Sequence, residues 1–148
     1  MGLVVGTCLA DTGNEVICVD VDQKKIDMLR RGEVPIFEPG LKDLIARNMR
    51  EGRLEFVTDT SHAVRSSEMC FIAVGTPETM GGAADVSNVL EAARAIGRAM
   101  DGYRIVVIKS TVPVGTYSKI MGLIKSRTST PFDYVSNCLL YTSPSPRD

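Results

Sequence analysis

Short apolar segments alternate along the chain with segments in which apolar residues recur at helical spacing. The short segments are rich in β-branched and aromatic residues and predict strands at residues 15–20, 54–57, 68–74, 103–109 and 132–135. The segments 68–74 and 103–108 are almost continuously apolar, which is typical of strands covered on both faces, so we place them at the sheet centre. Strands that alternate with helical segments predict βαβ units, and the fold class is therefore α/β with a parallel sheet.

The helical segments carry recognisable start and stop signals. The opening "MGLVVGTCLADTGNEVICVDVD" predicts a helix of small apolar residues, a turn at Gly13 and a strand. Asp22 can cap a second helix that Gly32 ends, and Pro39 suits the first turn of a third. The clearest helix follows Asp85, and its apolar stripe consists of Val86, Val89, Leu90, Ala93, Ile96, Gly97 and Met100. We interpret this stripe as core and not as a binding surface.

Composition narrows the range of functions. The 148 residues are 44% hydrophobic with a net charge of -1, which indicates one globular domain with an ordinary charged surface and no nucleic-acid partner. No apolar run approaches the roughly 20 residues of a membrane span, and the amino terminus lacks the basic flank of a signal peptide. We therefore expect a soluble, cytoplasmic protein without a membrane partner. The 4 cysteines form no CxxC pair and His62 is the single histidine, so no metal site is predicted.

The acid at the end of the first predicted strand is a candidate cofactor ligand. In dinucleotide-binding βαβ units, a glycine-rich turn approaches the pyrophosphate, and an acid about 20 residues later binds the adenine ribose. Asp20 has this spacing if Gly2 is the last glycine of that turn. A carboxylate here favours NAD over NADP, because it would repel a 2′-phosphate. The alternative is that Asp20 is only a helix cap or turn residue.

Two loops that follow apolar strands are further candidates. Gly75 and Thr76 come directly after one strand, and Ser110 and Thr111 directly after another. Open α/β sheets bind ligands at the carboxyl ends of their strands, where such loops can hold a phosphate, a nicotinamide or a reacting hydroxyl. The alternative is a plain strand-to-helix turn with a Ser or Thr cap.

Three motifs occur in one order, and together they resemble a known family. The motifs are "EVICVDVDQKKIDMLRRGEVPIFEPGL", "FIAVGTP" and "KSTVPVGT". From Gly2 to about Asn137 the chain resembles the nucleotide-sugar dehydrogenases of the UDP-glucose/GDP-mannose dehydrogenase family. GDP-mannose members usually read STVLPGT in the third motif. The resemblance therefore favours UDP-glucose as the substrate, with GDP-mannose and UDP-N-acetylmannosamine as alternatives.

The resemblance implies a Rossmann-type doubly wound parallel sheet and an activity. The activity is oxidation of a sugar C6 alcohol to a carboxylate, which gives UDP-glucuronate. The oxidation uses two NAD molecules in turn and passes through a cysteine-bound thioester intermediate. Asp20 would bind the adenosine ribose, with Lys25 beside it. Gly2, Gly75 and Ser110 would join the cofactor site, and the parent enzyme would be a homodimer.

The same resemblance gives the two threonines a role at the nicotinamide. Thr76 and Thr111 would line the nicotinamide end of the NAD site. Thr111 would also assist catalysis by positioning a water or the substrate. A threonine hydroxyl can orient a water, but at its normal acidity it is not a strong base.

The chain also departs from the family pattern at both ends. Of the glycine fingerprint GxGYVGL only "GL" is present, so we expect a sheet that lacks its first strand and leaves two strands without a neighbour. Residues 138–148, "CLLYTSPSPRD", stand where the family continues Pro-Glu-Phe-Leu-Arg-Glu, and we interpret them as a non-native, adapter-derived tail on a domain of residues 1–137. Cys138 is then not the family's nucleophile. We expect the chain alone to be inactive, and the alternative function is a non-catalytic nucleotide-binding fragment.

Overall fold

A computed structural model describes residues 2–35, 38–82, 85–113 and 115–136. The chain divides into two compact units, unit 1 (residues 1–63) and unit 2 (residues 64–148). Within the described ranges there are six helices and five strands, and the division between the units falls inside helix α4 (Thr60–Arg65).

Unit 1 is built around two parallel strands. Its elements are α1 (Gly2–Asp11), β1 (Val16–Val19), α2 (Gln23–Arg30), α3 (Leu41–Arg50) and β2 (Leu54–Val57). The strands pair from Val16 opposite Leu54 to Val19 opposite Val57. The core of this unit consists of Ala10, Ile26, Leu29, Leu41, Ile45, Leu54 and Phe56. The amphipathic helices α2 and α3 thus bury their apolar stripes in the same core as β2.

A polar network crosses the interior of unit 1. Asn48 on α3 is fully buried. The Arg53 guanidinium donates from Nη2 to Asn48 Oδ1 at 2.8 Å and from Nε to the Ala10 carbonyl at 2.9 Å. The Ala10 carbonyl also accepts from the Gly13 backbone N–H at 3.0 Å, so Arg53 adds a second donor there and links the end of α1 to α3.

Unit 2 contains three parallel strands in the order β3-β4-β5. Its elements are β3 (Met69–Ile72), α5 (Ser87–Ala99), β4 (Arg104–Ile108), α6 (Thr116–Arg127) and β5 (Phe132–Ser136). The pair β3–β4 runs from Met69 opposite Ile105 to Ile72 opposite Ile108. Buried residues of β3, α5, β4 and α6 contribute to the core, among them Val89, Ala93, Val106, Ile120 and Ile124.

Helices α5 and α6 pack closely at a glycine. A Cβ atom added to Gly97 would lie 2.9 Å from the Arg127 Cβ and 3.2 Å from the Ile124 Cα. Such distances leave no room for a side chain, so Gly97 sets how closely the two helices approach.

The structure confirms the α/β class, the parallel pairing and all five predicted strands, whose ends differ from the prediction by at most two residues. The helix that Asp22 caps is confirmed, and so is the core stripe of α5. Helices α4 and α6 were not predicted. Helix α3 begins at Leu41, so Pro39 lies just before the helix and not in its first turn.

We predicted that the strands at residues 68–74 and 103–108 lie at the sheet centre, and this is correct only for the second of them. Strand β4 is central in unit 2, whereas β3 is at the edge of the sheet, and alternate side chains on β3, Met69 and Phe71, are 48% and 37% exposed. Strand β1 likewise has one hydrogen-bonded neighbour, β2, in its sheet. Cys138 and the tail of residues 138–148 lie outside the described residues. In the part of the chain described, no helix is both long enough and apolar enough to cross a membrane.

Candidate cofactor-binding site

Asp20 lies directly beyond β1 and its carboxylate is held in a defined position. One oxygen, Oδ1, accepts a hydrogen bond from the Asp22 backbone N–H at 2.9 Å, and the other, Oδ2, lies 3.7 Å from Lys25 Nζ. The Asp20 side chain is 36% exposed. A carboxylate has about four acceptor positions, so these two interactions leave room for ribose hydroxyls.

The helix cap at this turn is Asp22 and not Asp20. The Asp22 carboxylate accepts from the backbone N–H groups of Lys24 and Lys25, at 3.0 and 3.4 Å. The alternative that Asp20 serves as the cap of α2 is therefore wrong, although Asp20 does hold the turn through one oxygen. The cap explains why α2 begins where it does and why Lys25, in its first turn, faces the Asp20 carboxylate.

Helix α1 brings Gly2 to the same end of unit 1. A Cβ added to Gly6 would lie 2.8 Å from Cys18 Sγ, so the middle of α1 packs on β1. A tight turn at Gly13, with φ 105°, joins the helix to the strand and makes them antiparallel. Gly2 is about 6 Å nearer the start of the helix than Gly6, and Asp20 is about 7 Å beyond Cys18. Both residues therefore lie toward the carboxyl end of β1.

In unit 2, the exits of β3 and β4 are tied together. The Ile72 carbonyl accepts from the backbone N–H groups of Lys109 and Ser110, at 2.8 and 3.2 Å. Ser110 is 5% exposed, and its hydroxyl donates to the Val74 carbonyl at 2.7 Å. The two predicted loops therefore meet at one edge of the sheet.

The other predicted residues of unit 2 lie on the surface of this edge. Gly75 and Thr111 are exposed and Thr76 is half-buried. A Cβ added to Gly75 would meet nothing within 4 Å, so packing inside the chain does not require a glycine there. The backbone at Gly75 is open to an approaching group, which fits the predicted contact with a cofactor.

The loop between β3 and α5 folds back on itself. The Asp85 N–H donates to the Pro77 carbonyl at 2.7 Å, and Gly82, with φ 85°, donates to the Thr79 carbonyl at 2.9 Å. The Asp85 carboxylate accepts from the hydroxyl and the backbone N–H of Ser87, and these bonds hold the pKa of Asp85 below its ordinary value. Asp85 is thus ionised at neutral pH and holds the start of α5.

The structure brings the predicted residues into two groups, one in each unit. Gly2, Asp20 and Lys25 lie at one end of unit 1, and Gly75, Thr76, Ser110 and Thr111 lie at the carboxyl edge of β3 and β4 in unit 2. The bond between Ser110 and Val74 was missed, because residues 36 positions apart leave no local pattern. Within the described ranges, no three His, Cys, Asp or Glu side chains form a group that could hold a metal ion.

Parallel strands joined by helices, with polar residues at their carboxyl ends, define a Rossmann-type nucleotide-binding domain. The model of the UDP-glucose/GDP-mannose dehydrogenase family, NAD binding domain, matches residues 1–142, and the chain belongs to this family. The predicted cofactor, NAD, is confirmed by this match. The chain is 51% identical over 126 residues to the UDP-glucose 6-dehydrogenase of Rhizobium meliloti, a match that covers 84% of the chain and 29% of that protein.

Solved structures confirm the predicted Rossmann-type fold. A UDP-glucose dehydrogenase from Pyrobaculum islandicum matches with a TM-score of 0.89 and 36% identity, over 94% of this chain and 33% of that one. A GDP-mannose dehydrogenase from Pseudomonas aeruginosa matches with the same TM-score and identity, over 93% and 33%. The fold therefore shows the family of nucleotide-sugar dehydrogenases and leaves the sugar open. The chain spans about 30% of the length of the curated relatives it matches.

Proposed function

We propose that this chain is the NAD-binding part of a UDP-glucose 6-dehydrogenase. The observation that supports it most is the match of residues 1–142 to the family's NAD-binding domain. The parent enzyme would oxidise UDP-glucose to UDP-glucuronate in the cytoplasm, as a homodimer. Since the chain spans about 30% of its relatives, the remaining steps of that reaction would depend on residues outside this chain.

The adenosine end of NAD is assigned to unit 1. Asp20 would accept hydrogen bonds from the ribose hydroxyls, and Lys25, 3.7 Å away, would help to orient the carboxylate. Gly2 begins α1, whose first backbone N–H groups have no partner within the helix and suit the pyrophosphate.

The nicotinamide end is assigned to unit 2. Gly75, Thr76, Ser110 and Thr111 would shape the site at the exits of β3 and β4. When bound, NAD supplies the hydride acceptor for oxidation of the sugar carbon. Thr111, which is exposed, would assist by orienting a water or the substrate hydroxyl through a hydrogen bond.

UDP-glucose is favoured over the other nucleotide sugars by sequence and not by fold. The third motif reads "STVPVGT", and identity to the R. meliloti UDP-glucose 6-dehydrogenase is 51% over 126 residues, against 40% over 124 residues to the P. aeruginosa GDP-mannose 6-dehydrogenase. GDP-mannose and UDP-N-acetylmannosamine remain the alternatives.

The identity of the nucleotide-sugar substrate is tested with the longer gene product. The coding sequence on both sides of this chain is read, and the encoded protein is offered each of the three nucleotide sugars with NAD. We expect NADH formation with UDP-glucose, at two NADH for each UDP-glucuronate. A higher kcat/KM with GDP-mannose or UDP-N-acetylmannosamine, or the absence of a downstream nucleophilic cysteine, would reject the proposal.

The second candidate function is a nucleotide-binding module without catalysis, and the short span of the chain relative to its relatives favours it for the 148-residue molecule. We expect this molecule to form no NADH from UDP-glucose and to bind NAD weakly or undetectably. Sustained NADH formation by the purified chain would eliminate this candidate, and low-micromolar NAD affinity would contradict the expected weak binding.

A further inference from the structure

We propose that Ser110 is a positioning residue, which fixes the Val74–Thr76 segment through the Val74 carbonyl and does not bind the cofactor with its own hydroxyl. The inference rests on the proposed function insofar as Gly75 and Thr76 form the cofactor site. It changes the role expected for Ser110 from the sequence, where its place after β4 suggested a direct cofactor contact.

The first observation is where the regular pairing stops. Strands β3 and β4 pair up to Ile72 opposite Ile108. Beyond that point the Ile72 carbonyl accepts two backbone N–H groups, from Lys109 and from Ser110. The chain leaving β4 is therefore folded over the end of β3, which places the Ser110 side chain beside the residues that follow β3.

The second observation is the direction of the Ser110 hydroxyl. Its oxygen lies 2.7 Å from the Val74 carbonyl and 3.4 Å from the Ile72 carbonyl. A hydroxyl has one proton, so the shorter bond takes it, and Ser110 donates to Val74. That proton is not available for a phosphate oxygen or the carboxamide oxygen of the cofactor.

The third observation is the contrast in burial between Ser110 and the segment it holds. Ser110 is 5% exposed, whereas Val74 is 37% exposed and Gly75 is also exposed. A glycine in an exposed segment has wide conformational freedom. A buried hydroxyl that fixes the carbonyl just before Gly75 restricts the orientation of the peptide groups that would meet the cofactor. The serine is thus a local restraint on a surface segment and not a part of its surface.

Hydrogen exchange on the 148-residue chain tests the restraint without any cofactor. Four proteins are compared: wild type, Ser110→Ala, Ser110→Thr, which keeps the hydroxyl, and the control Ser118→Ala, at an exposed position on α6. We expect Ser110→Ala to speed exchange at residues 74–76 about five- to tenfold, as for loss of one hydrogen bond. Exchange at residues 105–108 of β4 should be unchanged, and Ser110→Thr should stay within about twofold of wild type.

Two outcomes of the exchange experiment would overturn the inference. One is unchanged exchange at residues 74–76 in Ser110→Ala. The other is an equal rise throughout β3 and β4, which would make Ser110 a general stabiliser of the sheet.

A second measurement links the restraint to the cofactor. In a chimeric enzyme, the residues of this chain that match the R. meliloti UDP-glucose 6-dehydrogenase replace their counterparts there. We expect Ser110→Ala to raise the KM for NAD about five- to tenfold with the KM for UDP-glucose unchanged, and Ser110→Thr to restore it. An unchanged KM for NAD despite faster exchange would overturn the inference. A wild-type chimeric enzyme that does not use NAD would instead reject the proposed function, and the exchange result would still decide whether Ser110 restrains the segment.

Discussion

The Oδ2 atom of Asp20 lies 3.7 Å from Nζ of Lys25, at the point where β1 ends and α2 begins. Both side chains are partly exposed, and exposed ion pairs of this kind contribute little to stability. The pair instead sets the charge at the position expected for the adenosine ribose. The carboxylate accepts hydrogen bonds from ribose hydroxyls and repels a 2′-phosphate. Removal of the carboxylate would leave the neighbouring lysine to attract that phosphate.

Replacing Asp20 should therefore change the choice of cofactor. In the chimeric enzyme we expect Asp20→Ser to raise the KM for NAD about tenfold to a hundredfold, as for loss of charged hydrogen bonds. The same variant should gain activity with NADP, and adding Lys25→Ala should remove that gain. Steady-state kinetics with both cofactors is the measurement. Asp43→Ser, an exposed carboxylate on α3, is the control, and an equal effect of both substitutions would contradict the assignment.

The close approach of α5 and α6 predicts that one added methyl group at Gly97 lowers the stability of the fold. Gly97→Ala would place a Cβ 2.9 Å from the Arg127 Cβ and 3.2 Å from backbone atoms of Ile124, which cannot move independently of α6. We expect the free energy of unfolding to fall by about 1–3 kcal/mol, as for overpacked cores. Urea unfolding followed by circular dichroism measures it.

The matched control for Gly97 is another helical glycine, Gly122 on α6. A Cβ added there meets nothing within 4 Å, so Gly122→Ala should stabilise the protein by about 0.5–1 kcal/mol through helix propensity. Equal shifts for the two variants would show that helix propensity alone, and not packing against α6, decides the outcome at Gly97.

Local features of this fold could be predicted from sequence because their causes are local. Strand β2 has the predicted bounds, residues 54–57, and the cap at Asp22 lies where its side chain can reach the next backbone N–H groups. Helix α6 was missed, since Gly122 interrupts it and its buried stripe is short. An apolar run such as β3 does not reveal whether its second face is covered, because that depends on neighbours far away in the chain.

The candidate site also combines features that local sequence predicts with features that depend on residues far apart in the chain. Asp20 and the two loops follow from strand ends, which a single sequence shows. The bond from Ser110 to Val74 depends on how β4 leaves the sheet beside β3, and no spacing along the chain encodes that geometry. The sequence therefore indicates Ser110 as a candidate residue of the site but does not show its bond to Val74.

The buried network of unit 1 predicts that Arg53 stabilises the fold more than its position after α3 suggests. Arg53→Met would remove the Arg53 donors from the buried Asn48 amide oxygen, whereas the Ala10 carbonyl would keep the Gly13 backbone N–H. We expect a loss of about 1–3 kcal/mol in the free energy of unfolding, the cost of one unsatisfied buried group. Arg50→Met, at an exposed position on α3, is the control and should change stability by less than about 0.5 kcal/mol. Partial recovery on adding Asn48→Leu would confirm that the orphaned amide causes the loss, and no recovery would argue against it.

The cysteines of the described residues should differ sharply in reactivity. Burial raises the pKa of the Cys18 thiol to about 11, so at pH 8 only about one molecule in a thousand would carry the reactive thiolate. Burial also raises the pKa of Cys70, whereas Cys8 is exposed on α1. We expect iodoacetamide at pH 8 to modify Cys8 first, with Cys18 and Cys70 protected until urea unfolds the protein, and peptide mass spectrometry distinguishes the sites. Because Cys18 packs against Gly6, modification of Cys18 as fast as Cys8 would mean that α1 does not stay on β1. The placement of Gly2 and Asp20 toward the same end of unit 1 would then be wrong.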